Sequence, residues 1–170
     1  MEWLNQMFEA LSKCLPRIQR IRTTDRGVKW PRCKEPIILQ PGIHYWWPLV
    51  SELEMVTVVR QTTFLHPQTL TLRDGTTVTV RAVVVHSIED PLLAYTKSWD
   101  ISDTIVDLAS TSISGVVSCL TRAELQNQVF INTLISVDAE ALLSGFGVKI
   151  HFVKLTEASV CRSIRLLQNS

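Results

Sequence analysis

Asp74-Gly75 lies between two runs of alternating apolar residues, and no other feature of this chain restricts its fold as tightly. Leu70 and Leu72 precede the pair, and Val78, Val80, Ala82 and Val84 follow it. An Asp-Gly dipeptide suits a two-residue type I′ turn, whose central residues both need positive φ. Alternation with a period of two on either side is the pattern of strands with one buried face. The reading is an antiparallel hairpin over residues 68–88, closed by Asp90-Pro91.

With 170 residues, 46% of them apolar and 19% charged, the chain is long enough for one domain with a real core. No run approaches the roughly 18–20 apolar residues of a bilayer-crossing helix, and no secretory leader pattern is visible. The net charge of +1 conceals an asymmetry. Residues 13–34 carry eight bases (Lys13, Arg17, Arg20, Arg22, Arg26, Lys29, Arg32, Lys34) against the single acid Asp25, whereas the chain from Glu35 onward is net acidic. A basic neck on an acidic body suits anionic lipid or nucleic acid. Cys14, Cys33, Cys119 and Cys161 show no zinc spacing and are expected to be reduced thiols.

Trp3, Leu4, Met7, Phe8, Leu11, Cys14 and Leu15 recur at helical spacing, so residues 1–16 read as an amphipathic N-terminal helix closed by Pro16. Residues 17–36 read as an irregular basic neck broken by Pro31 and Pro36, and residues 37–170 as the domain. Within that domain, strands are expected at 37–39 and 49–60, with Leu53, Met55 or Val56, and Val58 inward. After Pro91 a short helix is expected, then a longer one over 102–120 capped by Ser102 or Asp103, with Ile105, Leu108, Ala109, Ser112, Ile113, Val116, Val117 and Leu120 on its apolar face. Thr121-Arg-Ala-Glu124 is a capping-box pattern. A helix over 127–144 should bury Phe130, Leu134, Val137, Ala141 and Leu142, ahead of a last strand marked by Val148, Ile150, Phe152 and then Leu155. A terminal helix fits 157–167. The sum is an α+β fold, a curved and mostly antiparallel sheet with helices packed on it.

The order of the pieces carries more than any one of them. Arg26-Gly27-Val28, Pro41-Gly42-Ile43-His44 with Trp47-Pro48, Gln68-Thr69-Leu70-Thr71, residues 74–85, Asp90-Pro91, Arg122-Ala-Glu-Leu125 and Gly147-Val148-Lys149-Ile150 follow one another at the spacing of one family. The chain resembles the SPFH or Band 7 (stomatin/prohibitin-like) family over most of its length. The resemblance implies an SPFH domain in a non-enzymatic, membrane-associated scaffold that assembles into homo-oligomers and organises lipids or partner membrane proteins, a membrane protease among them. It supplies no catalytic residue, and no cofactor or metal is expected. Members usually continue into a coiled coil beyond the position of 159–167, which this domain is expected to lack, so a smaller assembly is expected. An interaction module in a larger assembly, such as a phage particle or a regulator of a membrane protease complex, is the alternative.

The expected membrane contacts are Trp3, Leu4, Met7, Phe8 and Leu11 with the aromatic cluster Tyr45-Trp46-Trp47. Lys13, Arg17, Arg20, Arg22 and Arg26 are the expected anionic-lipid contacts, and Cys14 is a candidate lipidation site. Full burial of a Leu- or Phe-sized side chain contributes roughly 1.5–3 kcal/mol, and each base near an anionic surface about 1 kcal/mol. Such a protein would lie peripherally on the cytoplasmic face of a membrane. The same helix could instead dock on protein, Trp47 could lie under the sheet, and Cys14 could be a buried thiol. His44, His66, His86 and His151 share no ligand spacing, and no nucleophile elbow or phosphate loop is present. Nucleic acid is disfavoured as a partner because the body is acidic.

Overall fold

The 12 residues of Thr77–Ile88 alternate strictly through most of their length, burying Val78, Val80, Ala82 and Val84. In the computed structural model, which describes residues 15–161, this strand is the spine of the molecule. Nine strands are described: β1 (Arg17–Ile21), β2 (Asp25–Pro31), β3 (Ile37–Leu39), β4 (Gly42–Trp46), β5 (Ser51–Thr57), β6 (Gln61–Phe64), β7 (Gln68–Thr71), β8 (Thr77–Ile88) and β9 (Val148–Val160). Three α-helices lie between β8 and β9: α1 (Pro91–Lys97), α2 (Ile101–Ser118) and α3 (Gln128–Leu143). Every strand pair is antiparallel. β6 and β7 share one edge of β8, and β9 runs along the other. β3-β2-β5 form a second sheet and β1-β4 a two-stranded ribbon. The architecture is α+β, as the sequence pattern implies.

The hairpin forms, but by a different turn. Gly75 has φ +78 while no non-glycine residue among the described residues has positive φ, so Asp74 is not the first residue of a type I′ turn. Gly75 N donates to Leu72 O at 3.0 Å, which makes Arg73 and Asp74 the central pair and puts Gly75 in the left-handed bulge position that follows. The Asp74 carboxylate accepts from Thr76 N at 3.0 Å and Arg122 N at 2.9 Å. Those bonds hold its pKa below the ordinary value, the Arg122 backbone bond contributing most.

Local capping explains the helix starts. Asp90 accepts from Leu92 N and Leu93 N with Pro91 in the first turn of α1, and Asp100 caps α2 in place of the expected Ser102 or Asp103. Glu124 closes the expected box by accepting from Thr121 N and Oγ1, both at 2.8 Å. Gly147, at φ +71, accepts through its carbonyl from Glu89 N and Asp90 N, tying the end of α3 to the start of α1.

Further expectations are corrected in the strands and in α3. Residues 17–36 are not irregular, because β1 and β2 occupy much of the segment. Pro31 is tolerated as the last residue of its strand, opposite Ser51. In α3 the buried stripe is Ile131, Ile135, Ala139 and Leu143; Phe130, Leu134, Val137, Ala141 and Leu142 face outward. Asn132 and Ser136 decide this, since Asn132 Oδ1 accepts from Leu155 N at 2.9 Å and Ser136 Oγ from Val153 N at 2.8 Å, turning their side of the helix toward β9. In β9 the register slips between Val85 and His86, so Val153 is buried and Phe152 is exposed. One extra residue reverses the side chains beyond it, until a second slip between Arg81 and Ala82 shifts the register again. Residues 157–160 belong to β9 and not to a terminal helix, while 162–167 lie outside the described residues. On β5, Val56 is the buried choice and Met55 is exposed.

Candidate membrane-facing surface

Strand geometry gathers the aromatic cluster and part of the basic segment at one end of the small sheets. Successive side chains on β2 point to opposite faces. Lys29 and Pro31 therefore share a side, and with Tyr45, Trp46 and Trp47 they wall an open cavity of about 560 Å³. Pro16, Arg32, Cys33, Lys34, Ile37, Val50 and Ser51 complete it. Apolar side chains form most of the walls, and Lys29, Arg32 and Lys34 bring the positive charge.

The turn that carries Trp47 is anchored through its own carbonyl, which accepts from Val50 N at 3.1 Å and Ser51 N at 3.0 Å. Val50 O in turn accepts from Arg32 N at 3.0 Å, so the basic loop and the aromatic turn are fastened together. His44 Nε2 contacts Gln40 O at 2.7 Å across the Pro41-Gly42 turn. Trp47 is exposed and does not lie beneath the sheet, and Tyr45 is more exposed still. Trp46 is half-buried, and its indole Nε1 is buried without a hydrogen-bond partner.

The β1–β4 ribbon adds a second patch. Ile18 pairs with Tyr45 and Arg20 with Ile43, and all four side chains are exposed. Arg17 pairs with Trp46 and so lies at the aromatic end. Arg22 follows β1 at the opposite end of the ribbon, where it lines a separate cleft with Arg20, Pro41 and Gly42. Arg26 turns back, donating to Asp25 O at 3.0 Å. Of the expected cationic contacts, then, Arg17 joins the aromatic cluster and Arg20, Arg22 and Arg26 do not. Lys29, Arg32 and Lys34 take that place. Their signal was the alternation of Lys29, Trp30 and Pro31, which is informative only once residues 25–31 are known to be a strand. Trp3, Leu4, Met7, Phe8, Leu11, Lys13 and Cys14 lie outside the described residues, and the chain leaves them through Pro16, at the cavity wall.

Among the described residues no group of three His, Cys, Asp or Glu is placed to hold a metal ion, and Cys33, Cys119 and Cys161 are free and exposed. His86 is buried at 4% exposure with Nδ1 unpaired, so it does not face solvent. Burial first, and neighbouring His151 second, hold its pKa below the ordinary value. His151 Nε2 bonds Ser87 Oγ at 2.9 Å. Gln128–Phe146 is long and apolar enough to cross a bilayer by length and composition. The residues of α3 within it pack on β9 through the stripe described above.

The chain matches the SPFH domain / Band 7 family over residues 19–166. It is 20% identical over 167 residues to an uncharacterized protein of Archaeoglobus fulgidus, covering 96% of this chain and 66% of that protein. It is 26% identical over 120 residues to an uncharacterized protein of Methanocaldococcus jannaschii, covering 70% of this chain and 60% of the relative. The chain thus spans less than two thirds of the length of these relatives.

Proposed function

We propose, since the chain belongs to the SPFH domain / Band 7 family, that it is a non-enzymatic scaffold held on the cytoplasmic face of a membrane, where it self-associates and organises anionic lipids or partner membrane proteins. The family is in general membrane-associated and non-enzymatic. One observation carries the reading for this chain: a single apolar cavity joins the unpaired Trp46 indole, the exposed Tyr45 and Trp47 rings and three cations. Aromatic rings with a polar edge favour the boundary between lipid and water. Lys29, Arg32 and Lys34 would together contribute about 3 kcal/mol at an anionic surface at low salt. Residues 1–15 would add an in-plane anchor beside them.

Flotation with vesicles tests this directly. The full chain should float with anionic vesicles and lose binding as salt rises, because exposed charges are screened. A chain beginning at Ile18 should bind more weakly; equal binding by both removes residues 1–15 as the anchor. Absence of flotation on any vesicle overturns the membrane reading.

A module working within a larger protein assembly is the second reading, favoured by α3. Its outward stripe of Val129, Phe130, Leu134 and Val137 is more apolar surface than a helix facing water usually presents. The same stripe would serve self-association. Mass photometry of the full chain and of Phe130→Glu separates the two. An oligomer that the substitution dissolves assigns the stripe to self-contact, whereas a monomer in both leaves it for another protein.

A further inference from the structure

The opposite face of the β2–β5 sheet carries a groove of different chemistry. Trp30 and its cross-strand partner Glu52 point away from the cationic cavity, and Glu54 lies two residues along the same face. Tyr95 of α1 closes one side, its hydroxyl donating to Met55 O at 3.3 Å, and Trp99 from the α1–α2 link stands fully exposed at the rim. Together these residues line a groove of about 200 Å³. Neither glutamate has an ion-pair partner among the described residues. Burial first, then the carboxylates of Glu54 and Asp100, raise the pKa of the Tyr95 phenol.

A second cavity of about 340 Å³ adjoins it, sharing Tyr95 and Trp99. Its wall includes His86, more than nine-tenths buried and with Nδ1 lacking a partner. Three aromatic rings beside two carboxylates attract a weakly hydrated organic cation, through the negative ring faces and through Coulomb attraction. A volume of about 200 Å³ is smaller than the pockets that take drug-sized molecules, and so suits a single charged head.

We propose that the groove between Trp30, Tyr95 and Trp99 binds a quaternary ammonium or methylated amine, a small molecule of the choline class taken up from solution. A phosphocholine lipid headgroup has the same chemistry. The free molecule is the expected source because the groove opens on the sheet face opposite Lys29, and this choice of source alone rests on the membrane-facing surface proposed above.

The test follows the indole N–H resonances of the full-length protein during titration with choline, its neutral isostere dimethylbutanol, and phosphatidylcholine vesicles. Choline should shift the Trp30 and Trp99 signals to saturation, and the neutral isostere should not. Trp99→Ala removes a fully exposed ring without disturbing the core and should weaken choline binding about two- to fivefold, read at Trp30. Glu52→Gln with Glu54→Gln should weaken it further and flatten its salt dependence. Equal shifts with the isostere, or an unchanged titration in Trp99→Ala, overturn the site. Shifts with vesicles and none with free choline overturn the free-ligand assignment. The choline arm contains no lipid, so its failure is separable from failure of membrane binding.

Discussion

The two faces of the β2–β5 sheet differ in charge sign although they are built from adjacent residues. Lys29 and Pro31 open on an aromatic cavity rimmed by cations; Trp30, between them, opens on a groove with Glu52 and Glu54. A net charge of +1 says nothing about this separation. Alternation along a strand places opposite potentials on opposite sides of one sheet, so a single short element can present a lipid-type surface and a cation-type groove.

The comparison can be broken from either side. The largest effect is expected from the combined variant Lys29→Gln, Arg32→Gln, Lys34→Gln, which should weaken association with anionic vesicles by about a hundredfold at low salt, at about 1 kcal/mol per base. Choline titration of the groove should be unchanged in it. Next comes Gly147→Ala. The backbone there has φ +71, and an added Cβ would meet Asp90 O at 2.5 Å, beneath the helix that carries Tyr95. A loss of about 2–3 kcal/mol in chemical denaturation is expected, with the groove perturbed before the cationic cavity.

Asp74 sharpens the comparison from the hairpin that supports the main sheet. Its folded-state pKa lies below the unfolded value, so the carboxylate contributes stability above that unfolded value and loses it as pH falls through the folded one. The acid limb of a stability–pH profile should therefore be shallower in Asp74→Asn than in the wild type, with both sheet faces affected alike. Smallest is Trp99→Ala, which should change stability by less than about 0.5 kcal/mol and leave vesicle binding intact, as a fully exposed side chain should.

Features governed by neighbours in sequence were legible. Asp90-Pro91 starts α1, Thr121 and Glu124 make their box, and the alternation of Val78, Val80, Ala82 and Val84 is buried as read. Features governed by distant pairing were not. The Arg17–Ile21 and Asp25–Pro31 strands exist because β4 and β5 pair with them, so a count of prolines and bases within residues 17–36 pointed to a neck where there is sheet. The candidate site was half legible for the same reason. Tyr45-Trp46-Trp47 is visible as a run, whereas the cations that share its cavity come from a strand and loop that only the fold brings alongside.

The helix α3 shows the division within one element. By itself its sequence determines a helix with two apolar stripes, one through Phe130, Leu134 and Val137 and the other through Ile131, Ile135 and Ala139. Nothing in the periodicity chooses between them. Tertiary structure chose, because backbone N–H groups of Val153 and Leu155 required acceptors and Ser136 and Asn132 supplied them, leaving Phe130 and Val137 exposed. Local sequence sets which conformations are cheap; the need to satisfy buried backbone donors sets which face turns inward.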